Sequence, residues 1–170
     1  SYSGVYHGDP HAGNVLVRQR DAIVIDFGSM RVDGPIAADP AILEVSLVFA
    51  SDDADKSTDL AKWCGFVDEI YPIDRPLAPP PVGPEHMEFA WIRRAVREVR
   101  HVVTCCGASR DESIIILCGA LLRAARGAGF PKEHGLHDLA ERKRAYALAV
   151  ADRLCARLEA DAQKCRKSNA

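Results

Sequence analysis

The side chains best suited to chemistry lie in a short segment near the start of the chain, 6-YHGDPHAGNVLV-17. Within it Asp9 stands directly before a proline, and Asn14 follows five residues later. A second carboxylate, Asp26, comes twelve residues after Asn14. Carboxylate and amide oxygens suit Mg²⁺, a hard cation that also takes substrate phosphates, and a carboxylate not fully engaged by metal can orient a hydroxyl and accept its proton. Phosphoryl transfer needs these groups, because positioning and charge neutralisation do most of the work in that reaction.

The residues between these groups predict the strands that position them. The apolar run 15-VLV-17 and the β-rich run 22-AIVI-25 are separated by four polar residues, a pattern typical of a β-hairpin. A hairpin brings its two ends together. We therefore expect Asn14 and Asp26 to converge with Asp9.

The rest of the chain is predicted to be helical, apart from loops at 28–35 and 72–84. Asp39-Pro40 is typical of an N-cap followed by proline at the first helical position, so a central, strongly apolar helix should begin there. The segment 72–84 holds six prolines in thirteen residues and should be an extended connector. Four further helices are predicted near 56–70, 85–104, 110–126 and 136–163, and residues 164–170 are expected to fray.

Taken together, the two motifs are specific. The segment 7-HGDPHAGN-14 followed by 25-IDFG-28 resembles the aminoglycoside phosphotransferase and choline kinase family of the protein-kinase-like superfamily, whose pattern is H-G-D-x-H-x-x-N and I-D-[FW]-[GE]. The resemblance implies a transferase that uses ATP and Mg²⁺, with Asp9 as the catalytic aspartate facing the acceptor hydroxyl. It also implies that Asn14 and Asp26 hold the magnesium, with Asp26 nearest the bridging phosphates.

The same resemblance assigns the neighbours of these three residues. His7 and His11 would support the catalytic loop by hydrogen bonding rather than take part in the chemistry. Phe27 and Gly28 would complete the cofactor-binding segment that begins with Asn14 and Asp26.

The clear motifs cover about residues 5–49, and the helical remainder fits the family in general character. The fold class implied is α+β, a mostly α-helical kinase-like C-terminal lobe with a small β-hairpin that carries the catalytic loop and the D-F-G motif. Residues 1–170 are then expected to form a single domain with 72–84 as an internal connector. The N-terminal lobe is expected upstream of Ser1 in a parent chain, because the only G-x-G, at 127–129, is better explained as a helix stop. The isolated chain is accordingly expected to be inactive.

Two departures from protein kinases indicate the class of acceptor. Gly8 stands where protein kinases usually carry an arginine that can pair with a phosphorylated activation loop, and glycine cannot make that pair. Only about a dozen residues separate Gly28 from the helix start near Pro40, which leaves little room for such a loop. Both points favour a small-molecule acceptor.

Two other functions remain open. The segment 33–49 has a looser resemblance to phosphotransferase-like domains of bacterial multidomain signalling and conflict systems, where a kinase-like lobe would serve as a non-catalytic binding or scaffold module. Asp9 and His11 also form D-x-H, which a metal-dependent phosphoesterase would use together with further histidine motifs. No other histidine follows until His86.

A group of arginines and two pairs of possible metal ligands occur outside these motifs. A basic stripe on a predicted helix is typical of a solvated face, or would favour an anionic acceptor if it lined the pocket; it consists of Arg93, Arg94, Arg97 and Arg100. Two pairs have ligand-like spacing, His101 with Cys105 and His134 with His137. A metal site is the less favoured interpretation of both pairs, because no second pair of ligands accompanies the first and the second lies in a glycine-bearing segment.

Composition limits the class of protein. A net charge of −2 argues against a nucleic-acid binder driven by bulk charge. The longest apolar run, 114–122, is about half the length of a membrane span, and no signal peptide opens the chain. Six cysteines without a C-x-x-C pair are expected to be reduced and mainly buried. We therefore expect a cytoplasmic protein without a nucleic-acid or membrane partner, and a first residue that is not methionine suggests a fragment or a processed chain.

Overall fold

The computed structural model describes residues 3–19, 21–50, 59–81, 83, 88–105, 107–127 and 137–168. These residues form a mostly helical α+β arrangement with two small antiparallel sheets. The strands are β1 Ser3–Tyr6, β2 Val15–Arg18, β3 Asp21–Val24 and β4 Arg31–Pro35. The helices are α1 Ala38–Ala50, α2 Leu60–Ile70, α3 Ala90–Cys105, α4 Arg110–Ala125 and α5 His137–Ser168. The α+β class is therefore confirmed at this level of description.

The predicted hairpin is present. Strand β2 pairs with β3 in antiparallel register, with Val15 opposite Val24 and Arg18 opposite Asp21. The second strand begins and ends one residue earlier than the sequence indicated. The turn is tight because Gln19 adopts a positive φ of 58°, a conformation that few non-glycine residues take up.

The prediction that 28–35 is a loop is wrong for its second half. Residues Arg31–Pro35 form β4, which pairs antiparallel with β1, so that Gly34 lies opposite Gly4. Gly34 is required there, since a Cβ at this position would lie 2.0 Å from the ring of Tyr6. The glycine and proline that suggested a turn are thus part of a strand pair whose other strand is remote in sequence.

Helix α1 begins one residue before the predicted cap. Asp39 lies inside its first turn, and its carboxylate accepts hydrogen bonds from the backbone N–H groups of His7 and Gly8. The assignment of Asp39 as an N-cap is therefore wrong. Asp39 instead binds the backbone of a remote loop that would otherwise leave two donors unpaired.

The other predicted helices are present, but their ends differ. Helices α2 and α3 begin later than predicted, because residues 59, 88 and 89 are described and are not helical, and α4 ends one residue early at Ala125. The expected residues 56–58, 85–87 and 136 lie outside the described residues, as do 82 and 84 of the proline-rich segment. Residues 72–81 and 83 are non-helical, as expected, but the prediction of an extended connector is wrong where two turns form, with the N–H of Arg75 bonded to the carbonyl of Pro72 and the N–H of Ala78 to that of Arg75. The expectation that 164–170 frays is wrong for residues 164–168, which continue α5, while 169–170 lie outside the described part.

Helix α1 is the centre of the core. It packs against α3 and α4, and α4 packs against α5. The largest fully buried apolar side chains come from α1 to α5 and the turn after α2: Phe49, Trp63, Ile70, Tyr71, Ile92, Ile114, Leu117, Leu121 and Leu154. No described helix is both long enough and apolar enough to cross a bilayer.

Two arginines of the basic stripe are buried rather than solvated. Arg100 is 5 % exposed and bonds both carboxylate oxygens of Glu44, at 2.7 and 3.2 Å. Arg93 is 6 % exposed and lies 2.6 Å from the carboxylate of Glu69. The prediction of a solvated face is wrong for this pair and holds for Arg94 and Arg97, which are exposed.

Candidate active site

The loop that carries Asp9 is held by the first turn of α1. Asp39 accepts from the N–H of His7 through Oδ2 at 2.6 Å and from the N–H of Gly8 through Oδ1 at 2.9 Å. Hydrogen bonds to a carboxylate are stronger than those between neutral groups. The central helix of the core therefore fixes the backbone immediately before Asp9.

Glycine is required at position 8 by its backbone conformation and by the close approach of Ser29. Its φ of +82° lies in the region that side chains rarely adopt. A Cβ at this position would lie only 2.4 Å from the backbone oxygen of Ser29. The loop before Asp9 and the segment after the hairpin are thus in direct backbone contact, and no larger residue fits at position 8 without moving one of them.

His7 joins the same two segments through its ring. Nδ1 accepts from the N–H of Asp9 at 3.2 Å, so Nε2 carries the proton and donates to the carbonyl of Ile25 at 2.8 Å. The ring also packs against Phe27 with centroids 5.1 Å apart. His7 is 7 % exposed. Since both ring nitrogens are engaged, His7 acts on the position of Asp9 rather than as a metal ligand in this arrangement.

Asn14 connects Asp9 to the hairpin. Its Nδ2 donates to the carbonyl of Asp9 at 3.0 Å, and its own carbonyl accepts from the N–H of Ile25 at 2.9 Å. The side chain is buried, at 6 % exposure. Because the amide nitrogen is used within the loop, Oδ1 is the atom that Asn14 can present to a cation.

Asp26 follows Ile25 in a left-handed conformation. Its φ and ψ are 61° and 63°, and a short 3₁₀ turn, Phe27–Ser29, begins after it. Aspartate tolerates this conformation better than most residues, but it still costs free energy, and such positions cluster at functional sites. Both Asp26 and Phe27 are exposed. Hydrogen bonds therefore join the Asp9 loop and Asn14 to Ile25, and Asp26 is the next residue along the chain, exposed to solvent.

Arg123, which the sequence did not indicate, contacts Asp9 directly. It lies in the last turn of α4 and donates through Nη2 to Oδ1 of Asp9 at 2.5 Å and through Nη1 to the carbonyl of Gly8 at 2.7 Å. The two partners are 114 and 115 residues away in sequence. No spacing rule connects positions so distant, so only the tertiary fold reveals this contact.

A small cleft opens beside Asp9 between α1 and α4. Its volume is about 30 Å³, and Asp9, His11 and Arg123 line it together with apolar side chains of the two helices. His11 turns its Nδ1 back to the N–H of Gly13 at 3.1 Å. The cleft is the space next to Asp9 where an acceptor hydroxyl would have to approach.

A larger cavity of about 190 Å³ lies elsewhere, between α1, α3 and α4. The buried ion pair of Glu44 and Arg100 lines it, together with the polar side chains of Thr104, Arg110 and Ser113. Burial lowers the pKa of the Arg100 guanidinium, but Glu44 more than offsets this and the pKa is raised overall. Burial also raises the pKa of the neighbouring Tyr71 hydroxyl. This cavity carries a stabilising charge pair and not the predicted catalytic groups.

The described residues contain no group of three or more His, Cys, Asp or Glu side chains gathered as metal ligands would be. His101 and Cys105 are both exposed on α3, and His134 lies outside the described residues. Magnesium bound through one or two protein oxygens and substrate phosphates does not require such a cluster. The donor chemistry of Asn14 and Asp26, an amide oxygen and a carboxylate, fits that mode of binding.

Comparison with known proteins gives one family. A family model described as TCAD9, ternary complex associated domain 9, matches residues 1–126. The match includes the Asp9 loop, the hairpin, the helices α1 to α4 and Arg123. No curated protein and no solved structure matches the chain.

Proposed function

The chain belongs to the TCAD9 family, ternary complex associated domain 9, and from that premise we propose that it is the catalytic-loop half of a phosphotransferase. The reaction is transfer of a phosphoryl group from ATP, with Mg²⁺, to a hydroxyl of a small molecule. The enzyme is proposed to be larger than these 170 residues, and the isolated chain to be inactive. Its use of cellular ATP is the reason for proposing a cytoplasmic location.

One observation carries this proposal, the hydrogen-bonded continuity of the loop and the hairpin. Asn14 donates to the carbonyl of Asp9 and accepts from Ile25, while His7 bonds both Asp9 and Ile25. Asp26 is the next residue. Two carboxylates and an amide oxygen would then act together along this loop and hairpin, as phosphoryl transfer requires.

The chain's own residues have separate parts in the proposed reaction. Asp9, beside the cleft, accepts a hydrogen bond from the acceptor hydroxyl and takes its proton as the phosphoryl group arrives. Asn14 and Asp26 would hold the metal, which when bound neutralises charge on the phosphates. His7 and His11 keep the loop in shape through their ring nitrogens.

Exposed apolar side chains of the β elements support the proposal of a missing half. Large apolar side chains remain 39–76 % exposed over residues 5–32, and they are Val5, Leu16, Val17, Ile23, Val24, Phe27, Met30 and Val32. Soluble proteins rarely leave a large contiguous apolar surface open, and such surfaces mark interaction sites. We propose that an N-terminal lobe of the same parent chain covers these strands and supplies the groups that contact ATP.

The test compares Asp9→Asn with Asp26→Asn in the parent protein. Asp9→Asn should reduce turnover about a hundredfold or more and leave Mg·ATP affinity within about twofold, because its role is confined to the transfer step. Asp26→Asn should weaken Mg·ATP binding as well. Calorimetry with Mg·ATP and phosphate release give the two readouts, and Asp21→Asn in the exposed hairpin is the control with the same charge change.

Three results would count against the proposal. Equal loss of Mg·ATP binding in both variants contradicts the separate roles. Micromolar binding of Mg·ATP by the isolated chain contradicts the need for a second lobe. Absence of Mg·ATP binding by the parent protein contradicts the proposed phosphotransferase activity.

A second candidate function is a non-catalytic module. The family description names a ternary complex, which favours a binding or scaffold role inside a larger bacterial signalling or conflict protein. A parent protein that binds Mg·ATP but transfers phosphate to no acceptor, water included, would favour this role. The phosphoesterase alternative has less support, because among the described residues no group of three or more His, Cys, Asp or Glu side chains gathers around Asp9 and His11.

A further inference from the structure

We propose that Arg123 is a positioning residue for Asp9, and that it determines which carboxylate oxygen faces the acceptor. This inference rests on the proposed phosphotransferase. It starts from one guanidinium that touches two adjacent residues, the carbonyl of Gly8 and Oδ1 of Asp9, at 2.7 and 2.5 Å. Among the described residues that hold the loop, Arg123 is the one that also contacts the carboxylate.

The contact is poorly suited to a purely stabilising role. The side chains of Arg123 and Asp9 are 39 % and 30 % exposed, and ion pairs with this much solvent access contribute little to folding stability. The loop backbone has other partners besides, because Asp39 binds its N–H groups and His7 binds that of Asp9. What Arg123 adds is control of the carboxylate itself.

The geometry of the guanidinium gives that control. Its planar fork presents donors in a fixed relation, so one bond to Gly8 and one to Asp9 together restrict rotation of the carboxylate about Cβ–Cγ. With Oδ1 taken, Oδ2 is the oxygen that Asp9 can offer to a hydroxyl in the cleft. The cleft lies at the same place, since Asp9 and Arg123 both line it.

A lysine could not replace this function fully. The ammonium group is a point charge on a flexible stem and can bond one of the two acceptors well, but lacks the fork that spans both. Arg123→Lys should therefore keep the charge at the end of α4 and lose part of the orientation. Arg123→Ala loses both.

The experiment measures phosphate release from Mg·ATP by the parent protein, with water as the acceptor and ATP as the probe. Arg123→Ala should lower kcat about 10- to 100-fold, since small misplacements of a catalytic group cost that much, while KM for ATP stays within about twofold. Arg123→Lys should be intermediate. Guanidinium chloride, well below denaturing concentrations, should restore part of the activity of Arg123→Ala and none of that of Asp9→Asn.

Arg126→Ala is the matched control, because it removes the same charge three residues later from an exposed position. If the wild type turns over ATP and Arg123→Ala behaves like Arg126→Ala, the positioning role is wrong and the proposed function stands. If kcat and affinity fall together without rescue by guanidinium or by lysine, the residue is merely structural and the inference is overturned. If the wild type neither hydrolyses Mg·ATP nor transfers its phosphate to any hydroxyl acceptor, the proposed function fails and this inference falls with it. If Arg123→Ala does not fold, Arg123→Lys is used instead. A lower kcat with an unchanged KM for ATP then supports the positioning role, and an unchanged kcat overturns it.

Discussion

Removal of the buried Glu44 carboxylate should lower the stability of the fold more than removal of a carboxylate from an exposed ion pair. The side chains of Glu44 and Arg100 are 3 % and 6 % exposed. Arg100 donates to both oxygens of Glu44 and to the carbonyls of Ile70 and Ala78. In Glu44→Ala the guanidinium keeps the two carbonyls and the ring of Tyr71 at 5.5 Å, and its charge remains buried without a carboxylate.

The magnitude follows from that burial. Breaking a buried ion pair by removing one partner costs about 3–5 kcal/mol, against a typical domain stability of about 5–15 kcal/mol. For a domain of this size about 2–4 °C of melting temperature corresponds to each kcal/mol, so the midpoint should fall by about 6–20 °C. The slope of urea unfolding should not change, because the two end states bury the same surface.

Glu69→Ala provides the comparison, because its partner Arg93 lies on the same helix, α3, as Arg100. Arg93 is as buried as Arg100, but its partner Glu69 is 51 % exposed and water can replace it. Arg93 also keeps the carbonyl of Glu88 at 2.8 Å and the ring of Phe66 at 4.9 Å. The cost should be about 0–1 kcal/mol. Equal losses from Glu44→Ala and Glu69→Ala in urea unfolding would refute the reasoning.

A double-mutant cycle adds a second check. Glu44→Leu combined with Arg100→Met removes both charges and leaves only the carbonyls of Ile70 and Ala78 without their donor. The double variant should therefore cost less than the sum of the single variants, by about 2 kcal/mol or more. Additive losses would mean that the two charges do not compensate each other.

Two further predictions concern Gly8 and Cys118. Gly8→Ala should lower the free energy of unfolding by about 1–3 kcal/mol, because the positive φ and the 2.4 Å approach to the Ser29 oxygen both oppose a Cβ. Thermal unfolding measures this loss, and an unchanged melting temperature would contradict the contact. Burial raises the pKa of Cys118 to about 12 from 9.0, so the native protein should label there with iodoacetamide about a thousand times more slowly at pH 8 than a thiol of ordinary pKa. Mass spectrometry with the exposed Cys105 as internal reference reads this out, and comparable rates at the two cysteines would contradict the burial.

The hairpin was predictable because its information is local. Two β-rich runs and a polar turn of four residues suffice to specify β2 and β3, and with them the approach of Asn14 to Asp26. Strand β4 could not be found in the same way, since its partner β1 lies about thirty residues earlier and the glycine and proline of β4 are typical of turns. A pairing between remote strands depends on tertiary context rather than on the pattern of either strand.

The residues around the site likewise depend on contacts that are remote in sequence. Asp39 was predicted to cap its own helix, but its carboxylate instead accepts from the N–H groups of His7 and Gly8. Arg123 gave no signal, because an arginine in the last turn of a helix is an ordinary way to satisfy the helix dipole. Its contact with Asp9 depends on the packing of the end of α4 beside the Asp9 loop and the later part of α1, which line one cleft together.

The basic stripe was misjudged for a different reason. Arg93 and Arg100 are seven residues apart with Val96 between them, so they share the helical face that points into the core. The spacing that predicts burial for Val96 predicts it for both arginines. The sequence prediction relied on the charge of the arginines rather than on their position along the helix. Arg100 is nevertheless buried, with the buried carboxylate of Glu44 as its partner.

The contact between Gly8 and Ser29 also limits how this protein can evolve. A side chain cannot be introduced at position 8 by a single substitution while the Ser29 oxygen occupies the space of its Cβ. The segment after the hairpin would have to move first, and that movement would also disturb Asp26, three residues earlier. Any side chain at position 8 therefore depends on a second, compensating change in the segment that follows the hairpin.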